Sequence, residues 1–254
     1  MPSSKAFLAE YGAFVQASVD ACIEIDGRLN GARDESLFVM HDVGAGGDRS
    51  FGFDLEAERI AVKHLSRFGT ICSEESGSIG EGECRIVLDP LDGSDNFLSG
   101  FPFYGVSIAL VEGEKTRVGL VCDLASKRCF LRTPDRHVTF PLYARTLETP
   151  VIRNPHAKVG LFEKARHRPD GARALVERGW KFRTPGAVAL SFAHAHYVKY
   201  VLFFGTMRPY DMQAALYLCG DLHHYVDDAV AIVAQERGTF ETLLEIFELP
   251  KERP

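Results

Sequence analysis

No stretch of this chain approaches the roughly eighteen uninterrupted apolar residues that a membrane-spanning helix needs, so no membrane partner is expected. An excess of basic charge is also lacking. With 29 Lys and Arg against 35 Asp and Glu, the net charge is −6, which argues against a nucleic acid duplex as partner. None of the cysteines, at 22, 72, 84, 122, 129 and 219, forms a Cys-x-x-Cys pair, so they read as reduced thiols, most of them in apolar runs. His194-x-His196 and His223-His224 lack partners at zinc-site spacing. There is no internal repeat, low-complexity tract or flexible linker. Met1-Pro2-Ser3-Ser4-Lys5 leads into an amphipathic segment rather than an apolar one, so a secretory signal is not expected and a cytoplasmic location is.

What is present is an ordinary globular balance: 254 residues, 46% hydrophobic and 25% charged. That excludes a disordered, collagen-like or coiled-coil chain. Apolar residues at Phe7, Leu8, Tyr11, Phe14, Val15, Val19, Cys22 and Ile23 have helical spacing, with Ser3 or Ser4 as cap. Gly44 to Ser50 is a turn-rich loop, and Asp54 opens a second amphipathic helix. Short Val/Ile-rich runs at 69–72, 84–88, 104–111, 117–122 and 128–132 predict strands, the later ones an antiparallel meander. Beyond about residue 141 the pattern alternates. Strands are predicted at 151–152, 159–162 and 200–204, and helices at 169–178, 187–197, 209–219 and 238–248. The chain thus divides into an α+β half, 1–140, and an α/β half, 141–254, sharing a cleft within one compact unit.

The chemistry concentrates in Asp89-Pro90-Leu91-Asp92-Gly93-Ser94-Asp95-Asn96-Phe97. This segment follows an apolar strand and is predicted to end it in a turn, where α/β proteins bind ligands. Carboxylates three positions apart can converge on a hard cation, and oxygen-only ligands suit magnesium or manganese. Gly93 lets the backbone approach a phosphate, and its amide with that of Ser94 can form an anion nest. Glu74-Glu75, inside Ser73 to Ser76, ends the preceding apolar run and adds acids to the same region.

These residues resemble the inositol monophosphatase-like phosphatases, within the magnesium-dependent, lithium-sensitive superfamily that includes fructose-1,6-bisphosphatases. The family pattern Asp-Pro-Ile-Asp-Gly-Thr/Ser-x-Asn-Phe is matched by Asp89 to Phe97 and its Glu-Glu element by Glu74-Glu75, and its third motif, usually Trp-Asp-x-Ala-Ala, appears as Tyr210-Asp211-Met212-Gln213-Ala214-Ala215. Asp54 stands where the family has an Asp, and Gly44 to Asp48 looks like the loop of the archaeal dual-activity enzymes. The resemblance implies a layered αβαβα sandwich and two or three Mg2+ ions, with Mn2+ as an alternative. It assigns Glu74, Asp89 and the Leu91 carbonyl to the first ion and Asp89, Asp92 and Asp211 to the second, with Glu74 also serving a third. Ser94 and Asp54 would orient and deprotonate the attacking water. Asp92, Gly93, Ser94, Gly186, Ala187 and Arg208 would bind substrate or phosphate, the 187–197 helix offering its N-terminus. The partner implied is a small-molecule phosphate ester, and the oligomer a homodimer.

Some positions depart from the family pattern. Gly44 stands where a Lys is usual, Tyr210 where a Trp is, and Phe204 where inositol-specific members carry an acid. Gly220-Asp221-Leu222-His223-His224-Tyr225 replaces a glycine-rich stretch. Lys181, Arg183 and Arg208 are candidates to grip a second phosphate. The expected activity is hydrolysis of a small polyol or sugar phosphate, with inositol 1-phosphate and fructose 1,6-bisphosphate the first candidates. Phosphatases for 3′-phosphoadenosine 5′-phosphate or histidinol phosphate, and a non-catalytic binding relative, are the alternatives.

Overall fold

The computed structural model describes residues 4–250 apart from 32, 33, 48 and 145, and describes the side chains from Tyr11 onward. The expected cap at Ser3 or Ser4, the Phe7 and Leu8 side chains, and Asp48 of the glycine-rich loop lie outside the described residues. The chain runs α1 (Ser4–Leu29), β1 (Met40–Val43), β2 (Arg49–Phe51), α2 (Gly52–Leu65), β3 (Thr70–Ser73), β4 (Gly77–Ile79), β5 (Cys84–Asp92), α3 (Ser94–Leu98), β6 (Gly105–Glu112), β7 (Lys115–Asp123), β8 (Arg128–Arg132), β9 (His137–Pro141) and β10 (Thr149–Pro150). It continues through β11 (Val159–Glu163), α4 (Pro169–Glu177), β12 (Lys181–Arg183), α5 (Val188–Ala193), β13 (Tyr200–Phe204), α6 (Pro209–Leu218), β14 (His223–Val226), β15 (Val230–Ala234) and α7 (Arg237–Ile246).

The first ten strands form a hairpin and one large sheet, which reaches past residue 141 to take in β10. The β1–β2 hairpin stands apart, and an eight-stranded sheet has the order β10-β9-β8-β7-β6-β5-β3-β4. The meander β6 to β8 is antiparallel as expected, β9 extends it by a strand not predicted, and β3 and β5 run parallel. The second sheet, β12-β11-β13-β15-β14, is mixed rather than purely α/β. β11 pairs in parallel with β12 and β13, while β15 is antiparallel to both its neighbours.

Alternation along the strands separates the core into layers. Ile86 and Leu88 face α1 and α2 with Phe14, Cys22, Phe53 and Ile60, whereas Val87 faces the opposite way. On that opposite face, Val87, Ala109, Val111 and Phe130 pack with Leu190, Phe192, Met212 and Ala215 of α5 and α6, and with Val201, Phe203 and Val233 of the second sheet. Tyr200, Leu202 and Ile232 point outward against Leu175, Leu243 and Phe247 of α4 and α7. The order is therefore helices, sheet, helices, sheet, helices: the αβαβα sandwich. All six cysteines are free.

Three expectations need correction. β5 does not stop at Leu88 but continues to Asp92, with a bulge between Asp89 and Asp92. The bulge takes Pro90, which has no N–H for the ladder, without ending the pairing to β6. The predicted 187–197 helix ends at Ala193, because every residue of α5 is buried and carries no amphipathic period to mark its end. Val151-Ile152 is not a strand; the short bridge lies at Thr149–Pro150.

Candidate active site

The parallel register of β3 and β5 builds the centre of the site. Ser73 stands opposite Leu88, so the next residues, Glu74 just past the end of β3 and Asp89 within β5, lie side by side. The Glu74 amide donates to the Leu88 carbonyl at 3.1 Å, and Glu58 of α2 accepts from the Ser76 amide at 3.0 Å, which fixes the acidic turn. On the other side of β5, Ser107 pairs with Asp89 and donates to the Tyr210 carbonyl at 3.3 Å. That contact sets the first turn of α6 beside Asp89 and brings Asp211 in. One carboxylate oxygen from each of Glu74, Asp89 and Asp211 lies within 4.8 Å of the others. Asp89 and Asp211 are buried. Burial, with the charges of Glu74, Asp92 and Asp211, pushes the Asp89 carboxyl well above the usual carboxylate range. A buried, oxygen-only set of mutually repelling carboxylates is the donor chemistry a hard divalent ion fits.

Asp92 is placed differently from its expected role as a metal ligand alone. Its two oxygens accept from the amides of Val188 at 2.8 Å and Leu190 at 2.7 Å, so it caps α5 across the cleft. Burial, then the charge of Asp211, still pushes its carboxyl well up, and each oxygen keeps a lone pair for a further contact. The amides expected to hold phosphate at the start of α5 are thereby engaged. The Gly186 amide also donates inward, to both oxygens of Glu163 at 3.2 and 3.1 Å, and Ala187 is buried with its amide bonded to the same carboxylate.

Gly93 has φ +90°, and a Cβ there would meet Ala187 Cβ and the Phe103 carbonyl at 2.9 Å, so only glycine fits. It directs the chain into α3, where the Ser94 hydroxyl lies 2.7 Å from Asp54 Oδ1 and 2.9 Å from the Leu91 carbonyl. Asp54 Oδ2 accepts from the Phe51 amide at 2.8 Å, so this residue both caps α2 and faces Ser94. Burial raises the Asp54 carboxyl to about 7, with Ser94 and the Phe51 amide opposing and Glu75 and Asp95 adding to the rise. Asn96 Nδ2 donates to the Phe103 and Pro185 carbonyls at 2.7 Å each, tying this turn to the far wall. The glycine-rich loop closes the near side, with the Gly46 amide donating to the Glu74 carbonyl at 2.6 Å. A Cβ on Gly46 would stand 2.5 Å from Glu74 Cγ.

These groups open into a cleft of about 780 Å3 that is also lined by Arg49, Glu163, Lys164, Arg166 and Arg208. Of the three cations expected to serve a second phosphate, Arg208 lines the cleft, whereas Lys181 and Arg183 lie on the exposed edge strand β12. Arg49, Lys164 and Arg166 line the cleft as well, and among the described residues none of the three forms an ion pair. Sequence reasoning missed them and Glu163. Glu163 follows an apolar run in the sequence as Asp89 does, which was its one legible signal. Phe204 turns away from the cleft into the outer core against Phe162 and Phe247.

A second group, His137, His196 and Asp221, also brings one ligand atom each within 4.8 Å. Asp221 already accepts from Arg132 at 2.8 Å and faces Arg153 at 3.4 Å, so two guanidinium groups would repel a divalent ion there. The cluster is an ion-pair junction between β9, the α5–β13 connection and the end of α6. Among the described residues no helix is long and apolar enough to cross a membrane.

Residues 52–221 match the profile described as the inositol monophosphatase family. A fructose-1,6-bisphosphatase from Pyrococcus furiosus is 28% identical over 150 residues, which is 58% of this chain and 56% of that protein. A fructose-1,6-bisphosphatase/inositol-1-monophosphatase from Thermococcus kodakarensis is 29% identical over 208 residues, covering 80% of this chain and 76% of that one. Among solved structures, the extragenic suppressor protein suhB from Bartonella henselae superposes with a TM-score of 0.75 at 19% identity, covering 94% of this chain and 98% of that one.

Proposed function

Because the chain belongs to the inositol monophosphatase family, we propose that it is a metal-dependent phosphomonoesterase that hydrolyses a small polyol or sugar phosphate with a water molecule as nucleophile. The convergence of Glu74, Asp89 and Asp211 beside the Ser94–Asp54 pair carries this reading. Two or three Mg2+ or Mn2+ ions, held by Glu74, Asp89, the Leu91 carbonyl, Asp92 and Asp211, would neutralise the phosphate, acidify the attacking water and stabilise the leaving alkoxide.

The chain's own contribution is proton handling and charge. Ser94 carries one hydroxyl hydrogen and faces two acceptors. Donated to ionised Asp54, it leaves the hydroxyl oxygen free to accept a proton from water. Once Asp54 takes a proton, the bond reverses and Ser94 donates to the Leu91 carbonyl. An acceptor whose carboxyl sits near 7 is matched to proton transfer at neutral pH. No phosphoenzyme is required, so no Ser or Cys nucleophile enters.

The outer cleft favours a second anionic group on the substrate. Arg49, Lys164 and Arg166 line it, and the position of an inositol-gripping acid is an inward-packed phenylalanine. Fructose 1,6-bisphosphate therefore precedes inositol 1-phosphate among candidates. The test is phosphate release from a panel containing both, with 3′-phosphoadenosine 5′-phosphate and histidinol phosphate, with Mg2+ and with EDTA. Mg2+-dependent turnover of at least one ester, inhibited by Li+, is expected. No release from any ester would leave the non-catalytic alternative standing. A homodimer is part of the same reading and is checked by light scattering.

A further inference from the structure

Arg208 holds a position that its expected role as a phosphate-binding residue does not account for. It is the residue before Pro209, which starts α6, and its backbone is extended. Its Nη1 lies 2.8 Å from Glu74 Oε1, and its Nε donates to Asp211 Oδ2 at 3.0 Å. A further contact, 3.4 Å from Nη1 to the Gly46 carbonyl, reaches the glycine-rich loop. One guanidinium thus spans the two carboxylates that converge with Asp89, and it does so at side chains only 13% and 2% exposed. Such a planar fork is the side chain best shaped to satisfy two carboxylates at once.

Divalent ions held by Glu74 and by Asp211 and a guanidinium on the same two carboxylates oppose each other. Two positive groups a few ångströms apart in a buried site of low effective dielectric constant repel strongly. We propose that Arg208 is the internal counter-cation of this carboxylate cage, displaced by the incoming divalent ion and then available, on the wall of the same cleft, to the substrate's phosphate. The inference rests on the metal-dependent reading above. It makes binding ordered, since metal entry frees the group that grips phosphate. In the metal-free protein the guanidinium relieves the repulsion among Glu74, Asp89 and Asp211, and the same contacts lower the apparent metal affinity by competition.

The test is calorimetric titration of chelator-treated protein with Mn2+, comparing wild type with Arg208→Ala and Arg208→Lys. Arg208→Ala should bind Mn2+ about tenfold or more tightly than wild type, because a full positive charge leaves the cage. Arg208→Lys, which keeps the charge but not the two-armed contact, should fall between. At saturating Mg2+, inorganic phosphate should bind Arg208→Ala more weakly than wild type. Should Arg208→Ala not fold, Arg208→Gln, neutral and of similar reach, carries the same expectation. Equal or weaker Mn2+ binding in the neutral variants would overturn this inference while leaving the metal-dependent reading in place. Absence of Mn2+ binding to every protein, wild type included, would overturn both.

Discussion

Ser94 and Asp54 are separated by 40 residues in sequence and by one hydrogen bond in space. Each also has a bland structural use, Ser94 in the turn after Gly93 and Asp54 as the cap on the Phe51 amide. The two uses predict different kinetics. If the pair relays a proton, Ser94→Ala and Asp54→Asn each lower kcat by roughly a hundredfold to ten-thousandfold and leave KM nearly unchanged. If Asp54 only caps α2, Asn serves as well and turnover is retained. Steady-state constants at saturating Mg2+ distinguish them. Asp92 makes a double demand of another kind. Asp92→Asn keeps one oxygen for an α5 amide and turns an NH2 group toward the other. The expected result is lost turnover together with about 1–3 kcal/mol of lost stability, read by urea denaturation. Lost turnover at unchanged stability would remove the capping role. Gly46→Ala is the converse case. Its Cβ would crowd Glu74, so activity should fall and the Mg2+ requirement rise, with the denaturation midpoint close to wild type.

At the scale of elements, the sequence was readable wherever a local pattern carried the information. Ile86-Val87-Leu88 followed by Asp89 announces a strand leading into chemistry, although β5 runs on to Asp92, and Glu74-Glu75 announces a strand end beside it. What no local pattern carries is which distant groups meet there. Asp92 caps a helix 96 residues away, and Glu163, Arg49, Lys164 and Arg166 join the cleft only because their strand ends and loops face it. β1 is exposed along its whole length and shows no alternation of apolar and polar residues, and β12 has only three residues, too few to show a period, so periodicity could not find them. The Asp221 junction is a further case, drawing Arg132, Arg153, His137 and His196 from four separate segments. Asp221→Asn leaves the two arginines and His196 facing a neutral amide. Because Asp221 is 38% exposed, screening limits the cost, and about 1–2 kcal/mol of lost stability is expected. A wild-type melting curve for this variant would show the junction to be ornamental.

For the whole molecule, α5 and α6 form a layer shared by both sheets, and the site lies where that layer meets the end of β5. The Asp92 contacts to α5, the Asn96 contact to Pro185 and the Arg208 contact to Glu74 all cross the cleft. Ions bound there should therefore stabilise the entire fold, and chelation should lower its melting temperature. The acid response has a separate origin. His137 is held down to about 4 by burial, with the positive charges of His196 and Arg132 adding and Asp221 opposing. Its unfolded value is near 6.5, so the unfolded chain binds more protons between those limits. The stability His137 confers is therefore present above about pH 6.5 and lost as pH falls toward 4. His137→Gln removes this part of the slope, and denaturation curves at a series of pH values should be flatter for the variant. Parallel curves would assign the acid response elsewhere.

The central claim is that Glu74, Asp89 and Asp211 hold divalent ions for phosphate ester hydrolysis. It is tested most directly by initial rates of phosphate release from fructose 1,6-bisphosphate across a Mg2+ titration, for wild type beside Asp211→Asn. The account predicts saturable Mg2+ dependence for wild type, no turnover with EDTA, and for Asp211→Asn a curve shifted to much higher Mg2+ with a lower plateau. Turnover that is indifferent to Mg2+ and EDTA, or an Asp211→Asn curve superimposable on wild type, would contradict it.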